Sequence, residues 1–477
     1  MARMKLEFLL AVLLYAAILL ATGLFFPKKF GGLEAFFLAS RRLGAPRIAF
    51  SLCAGWVGAA SLFVSTDQAF REGVSAYWII GLPAVVTLLL FLPLAGVIRK
   101  LAGSTISDAM EARYGGAARA MTTVLIVWYM MVLAASQMVA AGKFLEAFLG
   151  SSYLVSLSVA VAVVMIYLGA GGFLSVIRTQ TVQFFLLVAG VLALTVSLGL
   201  RSSWSDVKTL AGVRAGAGYF DFLAHADRNA LVSLSFVLAW TISPIAWQRI
   251  QAARTPSAAR RGVASAAVLL ALFYAGIVLA GMLFLPLFPG PNPGSPLISE
   301  YIALKTGALL GSLIFVAVLA AVLSTMAGAI NSGAFSLTAD LLRYSGRPAD
   351  DSRAVALGRT ATLLIGVGAF LVATRFQDIL KTLGLASKIM AEGLFIPGLA
   401  AVIMKRRAPL AGLLSLAGGG GYALLCFFAE AGFPLLPVPA WPRSLPLGLA
   451  LSAGGFVIGL LLERLKRPGP GRTGAGA

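Results

Sequence analysis

The chain has 477 residues, of which 59% are apolar and only 12% are charged. Soluble globular proteins carry about 45–50% apolar and about 25% charged residues, so this composition excludes a water-soluble protein and a disordered chain. A formal net charge of +20 would suggest nucleic acid in a soluble protein, but in so apolar a chain it indicates membrane topology. We therefore expect a lipid bilayer, and no nucleic acid, as a partner.

Thirteen segments are apolar over roughly the 20 residues that a helix needs to cross the hydrocarbon core. They are expected to be helices, because no backbone polar group can stay unpaired in lipid. In chain order the expected spans are 8–26, 46–66, 76–98, 121–147, 153–172, 177–200, 230–250, 263–288, 307–334, 357–374, 379–403, 409–428 and 444–463. The sequence thus predicts an all-α polytopic membrane protein with about 13 transmembrane helices. These form one domain over residues 1–463, followed by a disordered cytoplasmic tail over 464–477.

Loop charge predicts the orientation of these spans. Most of the 38 Lys and Arg residues fall in loops on one side, and positively charged loops stay in the cytoplasm. We therefore expect an N-terminus outside and a cytoplasmic C-terminus, in a bacterial-type plasma (inner) membrane. The first span is long and lacks a clear cleavage site, so we expect it to be retained rather than removed as a signal peptide.

Enzymatic chemistry is not indicated. The two cysteines, Cys53 and Cys426, lie in apolar runs, and His225 is the single histidine. This composition favours neither a disulfide framework nor a transition-metal site. An intramembrane enzyme would need a cluster of His, Asp and Glu within the spans, and this sequence has none. We therefore expect a protein that is not an enzyme.

Two spans are interrupted by helix-breaking residues. The second span contains Gly55 and Gly58, and the seventh contains Pro244, which frees a backbone carbonyl. Interruptions at corresponding positions of two halves are typical of transporters with inverted repeats, in which unwound carbonyls hold a cation. The alternative is simple kinking and close packing by small residues. Their spacing of five spans favours the transporter.

The ninth span carries two adjacent hydroxyls, Ser324 and Thr325. Hydroxyl oxygens beside free carbonyls suit a small hard cation, which takes oxygen ligands. The alternative is that each hydroxyl bonds back to its own helix.

This helix, Ala320–Asp340, resembles the signature helix of the sodium:solute symporter family, whose members include proline, pantothenate, sialic acid and sugar symporters. Four more segments resemble family motifs: Thr105–Gly115, Gln137–Gly150, Gly171-Gly172-Phe173 with Thr179 and Gln183, and Pro244 with Gln248-Arg249 and Ala252-Ala253. The resemblance covers nearly the whole chain. It implies a LeuT-like fold of two inverted five-helix repeats with broken helices, at about 46–200 and 230–403, with extra helices at 8–26 and 409–463.

The resemblance also implies a function and a site. The function is sodium-coupled import, by alternating access, of a small polar solute that is amino-acid-like or carboxylate-like. The sodium ligands would be the carbonyls of Ala54, Val57 and Ala321 with the hydroxyls of Ser324 and Thr325. A proton-coupled transporter of the same fold, or a solute sensor with a separate signalling partner, are the alternatives. A monomer is expected to suffice, and the oligomeric state stays open.

One departure from the family bears on the number of sodium ions that the protein binds. Many relatives carry an aspartate in the sixth span where this chain has Gln180, and Arg178 is nearby. A neutral amide cannot supply the field of a carboxylate to a second cation, so we expect one sodium site, with Gln180 and Arg178 as ion-pathway candidates. Trp56 similarly stands where some relatives carry an aspartate.

The eleventh span contains Lys388 and Glu392, which lie on one helix face. Charges within a span are costly and are functional candidates, here for a zwitterionic solute or for proton exchange. The alternative is a self-satisfied ion pair between helices. The other candidates for the solute pathway are Ser61, Tyr129, Gln137, Trp240, Thr241, Ser243 and Trp247.

Overall fold

The computed structural model describes residues 2–24, 32–101, 103, 105–214, 216–288, 296–345, 351–433 and 436–465. These residues form helices, turns and one isolated bridge between Leu43 and Ala253, with no strand among them. The α-helices are α1 (Ala2–Leu24), α2 (Leu33–Leu38), α3 (Ala45–Trp56), α4 (Ser65–Glu72), α5 (Gly81–Lys100), α6 (Ile106–Tyr114), α7 (Gly116–Leu149), α8 (Tyr153–Gly199), α9 (Trp204–Arg214), α10 (Ala226–Thr241), α11 (Pro244–Gln251), α12 (Pro256–Leu283), α13 (Leu297–Lys305), α14 (Ala308–Ser345), α15 (Asp351–Arg375), α16 (Ile379–Lys388), α17 (Phe395–Ile403), α18 (Pro409–Ser415), α19 (Gly421–Glu430) and α20 (Leu445–Leu465). Short 3-10 turns lie at Ala39–Arg41, Gly73–Trp78 and Gly216–Phe220, and π-helical turns at Ala60–Val64, Ile389–Leu394 and Leu416–Gly420.

Eleven helices in the described part of the chain are long and apolar enough to cross a membrane. The all-α polytopic class is confirmed, whereas the count of thirteen spans is not. The expected fifth and sixth spans form one helical run, α8, and the expected second span is divided between α3 and the helix that resumes after it.

The division within α8 occurs at Gly172, which has φ 55° and ψ −147°. A side chain is disfavoured in this left-handed region, and a Cβ there would also lie 2.7 Å from the Phe36 ring. The glycine therefore interrupts the helical geometry between the expected fifth and sixth spans without a separate loop.

The long helix α14 lies at the centre of the molecule, packed against α7, α8 and α15. The most apolar stretch of 18 residues in this helix is 89% buried, compared with 22% for the corresponding stretches of Leu6–Leu24 and Leu445–Leu465 at the periphery. A helix surrounded by protein can carry polar side chains at membrane depth, because neighbouring helices supply their partners. This explains how the expected ninth span tolerates Ser324 and Thr325.

The last helix, α20, extends to Leu465. Residues 466–477, on which the prediction of disorder falls, lie outside the described residues. Residues 25 and 26, at the end of the expected first span, also lie outside them.

Candidate cation and solute site

The break in the second span releases backbone groups for other partners. Helix α3 ends at Trp56, and Val57 has an extended conformation. The N–H of Gly58 donates to the Trp56 carbonyl at 3.0 Å and to the Ser61 hydroxyl at 3.3 Å. In a continuous helix this N–H would bond to the Ala54 carbonyl, so the break leaves that carbonyl free to accept from elsewhere.

Two hydroxyls of α14 approach the freed carbonyl. Ser324 Oγ donates to the Ala54 carbonyl at 2.6 Å and lies 2.9 Å from the Ala321 carbonyl. Thr325 Oγ1 lies 3.5 Å from the same Ala54 oxygen. The structure thus brings Ala54, Ala321, Ser324 and Thr325 together. Val57, the fifth expected ligand, is buried at the break itself.

The donor set of this cluster suits sodium. It consists of carbonyl and hydroxyl oxygens, which hard cations prefer. Among the described residues, no group of three or more His, Cys, Asp and Glu side chains could hold a metal ion. Neutral oxygens at membrane depth fit a monovalent hard cation better than a transition metal, which favours imidazole or thiolate ligands.

A cavity of about 30 Å³ lies beside the cluster. Trp56 and Trp240 stack across it with ring centroids 6.1 Å apart. Such a volume accommodates water rather than an organic molecule. The cavity is lined by Gly55, Trp56, Gly58, Ala60, Ser61, Ile80, Tyr129, Leu133, Gln137, Trp240, Thr325 and Leu383.

Two polar side chains of the cavity wall hold the broken helix in shape. Gln137 Oε1 accepts from the N–H of Ala59 at 2.9 Å, which replaces the carbonyl that a continuous helix would supply. Ser61 Oγ lies 2.8 Å from the Tyr274 hydroxyl. Tyr129 is buried and also faces the cavity.

The break in the seventh span lies between α10 and α11, with Pro244 as the first residue of α11. Thr241 bonds back to the Val237 carbonyl at 2.7 Å. Thr241, Ser243 and Trp247 are buried around the break, but they are not among the described residues that line the cavity. Of the candidates near this break, only Trp240 reaches the cavity wall.

Lys388 and Glu392 point away from the cavity, into the contact with α19 and α20. Lys388 Nζ donates to Ser444 Oγ at 2.6 Å, lies 3.8 Å from Glu392 Oε1, and lies 5.0 Å from the centre of the Tyr422 ring. A Cβ at Gly448 of α20 would collide with the Glu392 carboxyl group. Both charged side chains are fully buried. A role in the solute pathway stays a prediction.

The sixth span places Gln180 beside the cation cluster and leaves Arg178 exposed. Gln180 Nε2 donates to the Ser324 carbonyl at 3.0 Å. Its Oε1 accepts from Arg249 Nη2 at 2.9 Å and from Ser51 Oγ at 2.6 Å. The positive charge next to the cluster is therefore that of Arg249, which contacts Gln180. The sequence signal for it is its position five residues after Pro244.

The model of the sodium:solute symporter family matches residues 36–416. Over 485 aligned residues the chain is 23% identical to the sodium/glucose cotransporter of Vibrio parahaemolyticus, covering 89% of this chain and 85% of the relative. It is 24% identical over 402 residues to the sodium/proline symporter of Staphylococcus aureus, covering 78% of this chain and 76% of the relative.

A solved structure shows the same architecture. The chain matches a Na⁺-coupled sialic acid symporter in a substrate-bound outward-open state with a TM-score of 0.80 and 18% sequence identity, over 97% of this chain and 98% of that chain. At this identity the likeness shows the fold, which is LeuT-like.

Proposed function

Because the chain belongs to the sodium:solute symporter family, we propose that it imports a small polar organic solute together with sodium by alternating access. The family and its relatives are transporters, so the chain is a multi-pass membrane transporter and not an enzyme. One observation supports the coupling most directly. Thr325 contributes to the cation cluster through its hydroxyl and also lines the cavity.

Sodium and solute act on the same break in the second span. The proposed sodium ligands are Ala54, Val57, Ala321, Ser324 and Thr325, at one site. An ion held between α3 and α14 fixes the geometry of the break, and the residues after the break line the cavity. A ligand shifts a conformational equilibrium only by its differential affinity for the two states. Each ligand therefore favours the conformation in which the other binds well.

We propose an amino-acid-like or carboxylate-like solute. The helix that resumes at Ala59 begins beside the cavity, and helix N-termini favour negatively charged groups. The aromatic rings of Trp56, Trp240 and Tyr129 offer apolar surface for the remainder of the solute. Ser61 is small where sugar-binding relatives carry a longer polar side chain, which favours an amino acid over a sugar.

The proposed topology follows the charge distribution and the two breaks. The N-terminus is outside and the C-terminus is in the cytoplasm of a bacterial inner membrane. The repeats extend over about 46–200 and 230–403, and the breaks after Trp56 and after Thr241 occupy corresponding positions in them.

Proton coupling is the second candidate, favoured by the fully buried Lys388–Glu392 pair. Reconstitution separates the two candidates. Purified protein in liposomes would be given an inward sodium gradient or an inward proton gradient, with labelled amino acids, carboxylates and sugars as solutes. We expect concentrative uptake of an amino acid or carboxylate with sodium alone. Uptake that needs only the proton gradient selects the second candidate, and no uptake under either gradient contradicts transport.

A further inference from the structure

The guanidinium of Arg249 is a buried positive charge with neutral partners only. The side chain is 0% exposed. Its Nε donates to Ser51 Oγ at 2.8 Å, its Nη1 to the Ile245 carbonyl at 2.9 Å, and its Nη2 to Gln180 Oε1 at 2.9 Å. Within the described residues no carboxylate lies within ion-pair distance of it. A buried charge without a counter-charge is costly, and at membrane depth it is a functional candidate.

This charge lies against the wall of the proposed sodium site. Gln180 donates to the Ser324 carbonyl at 3.0 Å, so one amide group spans the gap between the guanidinium and α14. Nη2 also lies 3.2 Å from the position that a Cβ would take at Gly55 and at Gly328. Gly55 follows Ala54, whose carbonyl is a proposed ligand, and Gly328 lies one helical turn after Ser324.

We propose that Arg249 sets the affinity of the sodium site, acting as a tethered positive charge that opposes a bound cation. The inference depends on the proposed sodium site and specifies how strongly that site binds. Like charges repel across a few ångströms of protein with little screening. A carboxylate at the position of Gln180 would cancel this repulsion, and the amide that this chain carries does not. The consequence is a site that releases sodium readily into a cytoplasm with little sodium.

Direct sodium binding tests the proposal without a transport assay. Isothermal titration calorimetry would be run on detergent-purified protein, with choline chloride holding ionic strength constant. We expect Gln180→Glu to raise sodium affinity by about tenfold, because the new carboxylate neutralises Arg249 across an existing 2.9 Å contact. The matched control is Gln183→Glu, on the same helix, where Gln183 bonds to Tyr15 instead. That control should leave sodium affinity unchanged.

Two further variants separate charge from shape. Arg249→Met removes the positive charge and should also raise sodium affinity, whereas Arg249→Lys keeps the charge and should leave it near wild type. Thermal unfolding identifies variants that do not fold. Folded Gln180→Glu and Arg249→Met proteins with wild-type or weaker sodium affinity would overturn the role of Arg249. A wild-type protein that shows no sodium binding would instead overturn the proposed function.

Discussion

The side-chain carbonyl of Gln137, on α7, accepts a hydrogen bond from the backbone N–H of Ala59 at 2.9 Å. Ala59 is the first residue after the break in the second span, so Gln137 caps the helix that resumes there. One side chain therefore helps to hold the break that lies beside both the proposed sodium site and the cavity.

Replacing Gln137 by Met removes the acceptor and leaves a buried N–H unpaired, which costs about 1–3 kcal/mol. We expect a lower unfolding temperature in detergent and weaker sodium binding, because the freed carbonyl of Ala54 loses its fixed position. Gln183→Met is the control, since it removes a hydrogen bond to Tyr15 outside the site. Equal sodium affinity in the two variants would contradict a role of Gln137 in shaping the break.

Ser324→Ala and Thr325→Ala each remove a proposed sodium ligand. A lost interaction of about 1–3 kcal/mol weakens sodium binding roughly 5- to 150-fold. The measurement is the sodium dependence of solute uptake together with calorimetric sodium binding. Ser336→Ala, on the same helix, serves as the control, because Ser336 bonds back to the Ser332 carbonyl. Unchanged sodium dependence in both variants would show that α14 does not contribute ligands to the sodium site.

Gly58→Ala tests how closely the break is packed. A Cβ at Gly58 would lie 2.5 Å from Gln137 Oε1 and 3.2 Å from Thr325 Oγ1. We expect loss of the Gln137 cap and reduced solute binding, with destabilisation by about 1–3 kcal/mol from overpacking. In Gly276→Ala the added methyl group meets no atom within 4 Å, so this control should keep wild-type stability and uptake. Wild-type solute binding by Gly58→Ala would show that the break can relax.

We expect the two single variants of the Lys388–Glu392 pair to differ in stability. In Glu392→Gln, Lys388 keeps Ser444 and the Tyr422 ring as partners. In Lys388→Met, the Glu392 carboxyl is left buried without a hydrogen bond. Removing one member of a buried pair costs about 3–5 kcal/mol, and an apolar replacement of both recovers much of it.

Unfolding temperatures should therefore fall most for Lys388→Met and less for Glu392→Gln, and should recover partly when Lys388→Met is combined with Glu392→Met, which makes both positions apolar. Solute affinity should stay near wild type in Glu392→Gln, because the carboxyl group faces Gly448 of α20 rather than the cavity. A selective loss of affinity for a zwitterionic solute would place Glu392 in the solute pathway after all.

Arg119 lies near the start of α7 and connects α6 with α14 through ion pairs. It lies 2.8 Å from Asp108 and 2.6 Å from Glu111 on α6, and it also pairs with Asp340 on α14. Arg119→Met leaves the buried Asp340 and the partly exposed Asp108 and Glu111 without their counter-charge, so we expect a loss of about 3–5 kcal/mol in the free energy of unfolding. Glu34→Gln, at the exposed pair with Arg41, should cost less than about 1 kcal/mol. Similar losses in both variants would contradict a structural role for Arg119.

The same network predicts a pH dependence. Burial acts to raise the pKa of Glu111, but its hydrogen bonds and charge interactions with Arg119 and Arg343 together lower it below the ordinary value of 4.5. A group whose pKa is lowered by folding stabilises the protein above its ordinary pKa, and this stability is lost as pH falls through the lowered value. Unfolding temperature should thus drop in acid, below about pH 4.5, and Glu111→Gln should reduce that drop.

The sequence alone determined the features that depend on local chemistry. Long apolar segments form helices in lipid, because each backbone polar group must find its partner within the segment. The second span is broken at its glycines, and the seventh span is broken at Pro244. Ser324 and Thr325 were identified because hydroxyls stand out in an apolar helix. The expected boundary between the fifth and sixth spans, at 172–177, includes Gly172, where α8 is interrupted. The sequence did not show that the two spans continue as one helical run.

The tertiary structure decided which side chains meet. Gln180 lies next to Arg249 rather than Arg178, Gln137 caps Ala59, and Glu392 faces α20. Each of these contacts depends on the rotation and register of one helix against another, which no single helix encodes. Packing between helices sets that register. The hydroxyls of Ser324 and Thr325 could therefore be singled out from the sequence, whereas their approach to the Ala54 carbonyl and the buried charge of Arg249 nearby could not.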